Sequence, residues 1–247
     1  LKRNLLRIAA VLLPFVFVIS LGFYLTQQVD LFGKTIYSEI YVPKGETMRI
    51  FFQDGSEAYL NSDTKLRFPD KFGIKNRKVY LEGEAYFNVS SNKRRPFVVN
   101  TRDADIAVLG TSFNVNAYKD ENRVQVVLDE GEIVFKTDHN QYEISPGQKI
   151  EYDKTVGTTT IHNLKNSKVS SLWKKNIVHF KDTPLAEVLN TLSRSYDVTF
   201  VVENDSVLKY SYTLTTRQTT LEAIIEELER IAPVKFREQD NQVVVDL

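Results

Sequence analysis

The chain has 247 residues, with 32 Lys and Arg against 32 Asp and Glu, and this zero net charge excludes a general nucleic-acid binder, which needs surplus cations to neutralise phosphates. Cysteine is absent, which removes disulfides, thiolate metal sites and cysteine nucleophiles, and the histidines (His139, His162, His179) are too far apart for a ligand motif. At 42% hydrophobic and 11% aromatic residues the chain is able to bury real cores, so global disorder is excluded as well.

No charged side chain stands between Arg7 and Asp30. A helix over the uncharged stretch from Ile8 to Val29 reaches about 33 Å, against a hydrocarbon core of about 30 Å. From Ile8 to Leu25 the stretch is apolar all round, and Pro14 and Gly22 are tolerated in a membrane helix. Lys2, Arg3 and Arg7 flank one end only, which the positive-inside rule places in the cytoplasm. The pattern predicts a cytoplasmic flank and a single transmembrane helix over residues 1–29. A cleavable signal peptide is the competing reading, but Ser20-Leu21-Gly22 is a poor cleavage site and the apolar run exceeds the usual length of roughly 7–15 residues. The sequence opens on Leu1 rather than Met, and the expectation is a further cytoplasmic segment upstream. The three flanking cations carry no matching anion, so 29 cations face 32 anions beyond residue 29. The larger part is mildly acidic.

Residues 30–153 read as an all-β domain. Asp54-Gly55 separates Arg49-Ile-Phe-Phe52 from Ala58-Tyr-Leu60, a strong hairpin signal, and Glu130-Gly131 repeats the device between Val124–Leu128 and Ile133–Phe135. Further strands are expected at Val79–Leu81, Ala85–Val89, Phe97–Val99, Ile106–Leu109, Phe113–Val115 and Ile150–Tyr152. About ten or more short strands with local turns predict an antiparallel sandwich or a rolled sheet. Residues 154–176, rich in Thr, Ser, Asn and Lys, read as a linker whose one large apolar residue, Trp173, is expected to dock on the domain that follows.

Residues 177–247 carry an internal repeat. Leu185, Val188, Leu189, Leu192, Arg194, Val198 and Phe200 recur 36 positions on as Leu221, Ile224, Ile225, Leu228, Arg230, Val234 and Phe236. Leu at i, branched residues at i+3 and i+4 and Leu at i+7 make one apolar helix face, and the Val-x-Phe that follows has strand period. Pro184 after Thr183, and the capping box Thr219-Thr-Leu-Glu222, mark the two helix starts. With strands at Ile177–Phe180, Lys209–Leu214 and Gln242–Val245, the prediction is a compact two-helix α+β domain of two βαβ-type units over one small sheet.

Little of this points to catalysis. Glu82 and Glu84 stand two apart, which on a strand places both carboxylates on one face, and paired carboxylates serve glycosidases. They bracket Gly83 at an expected turn, however, where a solvated or hydrogen-bonding role suffices. Lys93-Arg94-Arg95 reads as a solvated loop, with phosphate or partner contact as the alternative. Gly110-Thr-Ser-Phe113 offers a serine with no His or acidic partner in any motif. There is no glycine-rich phosphate loop, G-x-S-x-G elbow or zinc pattern. No enzyme, cofactor or metal is expected, and no partner-binding residues stand out.

Taken together, Val42-Pro-Lys-Gly45, Asp54-Gly-Ser56, Tyr59-Leu-Asn-Ser62, Val79 to Phe87, Pro96-Phe97, Val108 to Val115 and Ser145-Pro-Gly147 carry a resemblance. Residues 43–153 resemble the FecR family of membrane-anchored anti-sigma regulators, in the form common in Bacteroidetes. The region from Trp173 onward is similar to the short secretin/TonB N-terminal fold that accompanies it. The resemblance implies an inner-membrane protein with its bulk in the periplasm, sensing the signalling domain of a TonB-dependent outer-membrane transporter. It also implies control of an extracytoplasmic-function sigma factor, held by an N-terminal domain upstream of Leu1. Read without the resemblance, the aromatic-rich strands leave a secreted or anchored carbohydrate-binding or adhesive β-protein as the alternative.

Overall fold

The structure is a computed structural model and describes residues 2–28, 36–217, 220–239 and 242–247. Helix α1 (Lys2–Gln28) is continuous through Pro14. Its described side chains, Leu12 to Leu25, are exposed, Phe15, Phe17, Ile19 and Phe23 among them. Among the described residues no helix is long and apolar enough to cross a membrane. The uncharged stretch of the sequence, Ile8 to Val29, extends past those side chains at both ends.

Thirteen strands follow: β1 (Tyr37–Val42), β2 (Met48–Phe51), β3 (Glu57–Leu60), β4 (Thr64–Pro69), β5 (Arg77–Asn88), β6 (Phe97–Asn100), β7 (Asp105–Val108), β8 (Ser112–Ala117), β9 (Arg123–Glu130), β10 (Ile133–Lys136), β11 (Gln141–Ile144), β12 (Gln148–Asp153) and β13 (Thr159–Asn163). They build two sheets that share β5. One runs β1-β4-β5-β6-β7-β10-β11 and the other β2-β3-β5-β8-β9-β12-β13, antiparallel except for the β5–β6 pair. The strands alternate buried and half-exposed positions, so the inward residues of both sheets meet in one core containing Val42, Leu60, Leu66, Val79, Phe87, Phe97, Phe113, Val126 and Ile150. Phe87 and Phe113 stack at 5.3 Å between ring centroids. Each phenylalanine fully removed from water contributes roughly 2–3 kcal/mol. The expected sandwich is formed.

Two glycines act differently from the expectation. Gly83 lies inside one long strand, not at a turn. Residues before it pair with β4 and β6, and residues after it pair with β3 and β8. Its φ is +119°, and a Cβ there would stand 2.5 Å from Thr64 Oγ1 and 2.7 Å from Thr64 Cα. Only glycine lets β5 pass from one sheet to the other at that spot. Gly131 (φ +91°) likewise marks a crossing: β9 pairs with β8 and β12, whereas β10 pairs with β7 and β11. The hairpin expected at Glu130-Gly131 is therefore a change of sheet, while that at Asp54-Gly55 joins β2 to β3.

The stretch 154–176 is ordered. β13 extends the second sheet by pairing with β12, and a 3₁₀ segment, Ser167–Lys175, starts on Asn166, whose side chain accepts from Lys168 N, and ends on Asn176 at φ +54°.

The last unit comprises β14 (Ile177–Pro184), α2 (Leu185–Tyr196), β15 (Thr199–Val202), β16 (Ser211–Arg217), α3 (Leu221–Ile231), β17 (Lys235–Gln239) and β18 (Gln242–Asp246), with a short 3₁₀ turn at Asp205–Lys209. The repeat is visible as β14-α2-β15 followed by β16-α3-β17. The strands do not form the single sheet expected. β14 and β16 pair antiparallel with each other, while β15 and β17 flank β18, the first parallel and the second antiparallel. Like elements thus run in opposite directions, as an internal two-fold requires. Leu185, Val188, Leu189 and Leu192 of α2 meet Ile224 and Leu228 of α3 in a second core with Tyr212, Val234 and Val245. The helix starts are offset by one residue from the sequence reading. Pro184 is itself the N-cap of α2, and Thr220 caps α3 by accepting from Ala223 N at 3.3 Å, Thr219 lying outside the described residues.

Candidate functional site

The two cores are separate, one formed within Val42–Ile150 and the other within Val178–Val245. Between the units lies a polar cleft of about 1050 Å³. Its floor is the outer face of β5, β8, β9 and β12, and its opposite wall is β14 and α2.

Glu84 sits on this floor, partly buried. Its carboxylate accepts from Asn61 Nδ2 and Asn114 Nδ2, each at 2.8 Å. Burial raises its pKa to about 7, against the lowering effect of the two amides, and the nearby Glu121 charge adds to the rise. Glu82 does not join it. The twist at Gly83 turns Glu82 into a separate groove of about 420 Å³ on the other sheet, beside Lys65 and Arg67. The paired-carboxylate geometry considered from the sequence is not formed.

Two attachments cross the cleft. The first is Arg194, in the last turn of α2 and only 5% exposed. Its guanidinium lies 3.8 Å from the ring centroid of Tyr118 and pairs with Asp120 at 3.3 Å and with Glu121. All three partners belong to the turn between β8 and β9, which Lys154 holds by donating to the carbonyls of Tyr118 and Glu121 at 2.8 Å each. The carbonyl of Arg194 also accepts from Gly45 N at 2.8 Å, in the β1–β2 turn. Burial raises the pKa of Glu121, opposed by the Arg194 charge. It raises that of Tyr118 too, and the Glu84 charge pushes the same way.

The second attachment is the 3₁₀ segment. Trp173 Nε1 donates to Asn114 Oδ1 at 3.2 Å, and Lys174 Nζ stands 3.0 Å from the Tyr86 ring centroid. Trp173 thus bonds to the preceding β-sandwich, not to the following unit as the sequence suggested. Desolvation over the ring lowers the pKa of Lys174 to about 8. Asn114 ties the 3₁₀ segment to the cleft floor, since one amide group bonds both Glu84 and Trp173.

Among the remaining sequence candidates, Arg95, Thr111 and Ser112 have structural partners. Lys93 and Arg94 are exposed, while the Arg95 carbonyl accepts from Arg77 Nε at 3.0 Å. Arg77, 1% exposed, reaches Asp54 at 2.6 Å and ties that loop to the β2–β3 hairpin. Ser112 donates to Asn88 Oδ1 across strands, and Thr111 to the Glu132 carbonyl. Among the described residues no group of His, Asp or Glu is arranged to hold a metal. Sequence reasoning missed Tyr118, Asp120, Glu121 and Asn114. Arg194 was visible only as a repeated position, and its counterpart Arg230 is exposed, bonded to Glu226.

Comparison with known proteins bears on both units. Residues 38–134 match the family described as FecR protein, and residues 177–245 match FecR, C-terminal. No curated protein matches the chain. Two crystal structures of a candidate anti-sigma factor from Parabacteroides distasonis ATCC 8503, at 2.50 and 1.65 Å resolution, are similar to it with TM-score 0.82. Identity is 28% and 29%, over 85% of this chain and 98% of the other in each case.

Proposed function

We propose that this chain, matched by the families FecR protein and FecR, C-terminal, works as an anti-sigma regulator anchored in the inner membrane, reading a TonB-dependent outer-membrane transporter with its periplasmic part. The observation that carries this reading is the order of parts: an apolar helix, a FecR unit and a FecR C-terminal unit on one chain. The similarity to a candidate anti-sigma factor across 85% of the chain supports it.

Each finer feature has a physical motive. The uncharged stretch Ile8–Val29, flanked by Lys2, Arg3 and Arg7, is suited to a single span with the N-terminus in the cytoplasm. The sigma factor is then engaged on the cytoplasmic side. The two acidic-leaning units lie in the periplasm, and the C-terminal unit, in its two-helix α+β build, is taken as a relative of the short secretin/TonB N-terminal fold. β15 and β17 are the outer strands of their sheet, and an outer strand accepts a partner strand by backbone hydrogen bonds without any catalytic group.

Binding of the full chain, in detergent, to isolated signalling domains of TonB-dependent transporters tests the sensing step. Saturable binding to one such domain is expected. Absence of binding to every signalling domain encoded beside an extracytoplasmic-function sigma factor contradicts it.

A further inference from the structure

We infer that the junction between the two units is a releasable latch with Arg194 as its bolt, and that the units part there as rigid bodies. The junction differs from a domain core in kind. Neither hydrophobic core crosses it, and a polar cleft occupies the space between. Parting the units therefore exposes no continuous apolar surface, and the resistance comes from a few polar contacts with defined geometry.

Arg194 concentrates those contacts. Its side chain engages Tyr118, Asp120 and Glu121, and its carbonyl engages Gly45 N, so one residue grips two separate turns of the sandwich. Lys44 Nζ adds a 3.5 Å contact to the neighbouring Ser193 Oγ. The receiving turn is also held from within the sandwich by Lys154, which donates to two of its carbonyls. The internal repeat supplies a control within the same chain. Arg230 occupies the equivalent place in the last turn of α3, yet its side chain is 74% exposed and pairs with Glu226 of its own helix. The repeat explains why an arginine follows each apolar face. It does not explain why one of the two is buried against another unit.

The covalent connection is already built to act as a hinge strap. The 3₁₀ segment Ser167–Lys175 keeps its own hold on the sandwich through Trp173 and Lys174, next to the start of β14. Loss of the bolt would leave the C-terminal unit attached at the strap and free to swing.

That the latch lies on the route of a signal rests on the function proposed above, and the test separates the two. The chain has no cysteine, so two can be introduced cleanly. Spin labels at Asp138→Cys on the sandwich and Glu222→Cys on α3, both exposed positions, report the distance between units in the full chain in micelles. One narrow distance distribution is expected for the parent. Arg194→Gln, and separately Asp120→Asn with Glu121→Gln, should each broaden it with a second, longer population, while Arg230→Gln leaves it unchanged. The circular dichroism of the folded chain should be retained. The acidic-turn variant matters because it leaves α2 intact, so opening seen there does not stem from a damaged helix. Distributions identical to the parent in both variants, or loss of fold in both, overturn the latch. In cells, variants that open the distance should shift sigma-dependent transcription away from the parent response. Opening without any such shift, in a system where deletion of the gene does change transcription, overturns the signalling role and leaves the mechanical latch standing. No change even on deletion counts against the proposed function instead.

Discussion

Single residues in this fold carry their weight through what surrounds them, and Glu84 shows how. Its pKa is raised from an ordinary carboxylate value to about 7, so between pH 4.5 and pH 7 the folded chain keeps a proton that the unfolded chain has released. Stability from this group is therefore complete below pH 4.5 and lost as pH rises through 7, by at most about 3 kcal/mol. Glu84→Gln removes the titration. Its unfolding free energy, measured by urea at pH 4.5 and pH 8, should fall less across the interval than that of the parent, and parallel profiles would show that Glu84 is not the source. Gly83 makes a steric prediction. Alanine there would add a Cβ 2.5 Å from Thr64 Oγ1 at a φ of +119°, and should cost about 2–5 kcal/mol. Asp54 makes an electrostatic one. Its removal strands the buried Arg77 guanidinium, and Asp54→Ala should lose about 3–5 kcal/mol in denaturant unfolding.

At the scale of elements, periodicity was the legible part. Leu185, Val188, Leu189 and Leu192 have the spacing of one helix face, and they form that face. Strands such as Phe97–Asn100 and Ser112–Ala117 appear where alternation predicted them. The routes between strands were not legible. A glycine at positive φ reports a local bend, and the bend at Gly131 is the same whether the next strand pairs with the last one or with the opposite sheet. β13 escaped notice because an outer strand with mostly exposed side chains lacks the apolar alternation that marks a half-buried one. The site was hidden for a related reason. Arg194 meets partners more than seventy positions earlier in sequence, and no local pattern joins them. The strap gives this scale its prediction: Trp173→Ala, which removes the indole bond to Asn114, should speed tryptic cleavage at Lys174 and Lys175 several-fold while the sandwich resists.

For the whole molecule, charge and architecture point the same way. The balance of zero is the sum of three cations beside the apolar stretch and a small acidic excess over everything beyond it. A chain so divided, with regions matching FecR protein and FecR, C-terminal after the helix, has the order of parts on which the proposed function rests. The full chain should resist alkaline extraction from membranes, and removal of residues 1–29 should release it to the soluble fraction. The most direct measurement of the regulatory role is transcription from promoters of the extracytoplasmic-function sigma factor, in cells carrying the intact gene and in cells lacking codons 36–247, with and without the transporter's ligand. Transcription that follows the ligand only when both folded units are present is the predicted result. Transcription that follows the ligand equally well without them would contradict a role for this chain in relaying the signal.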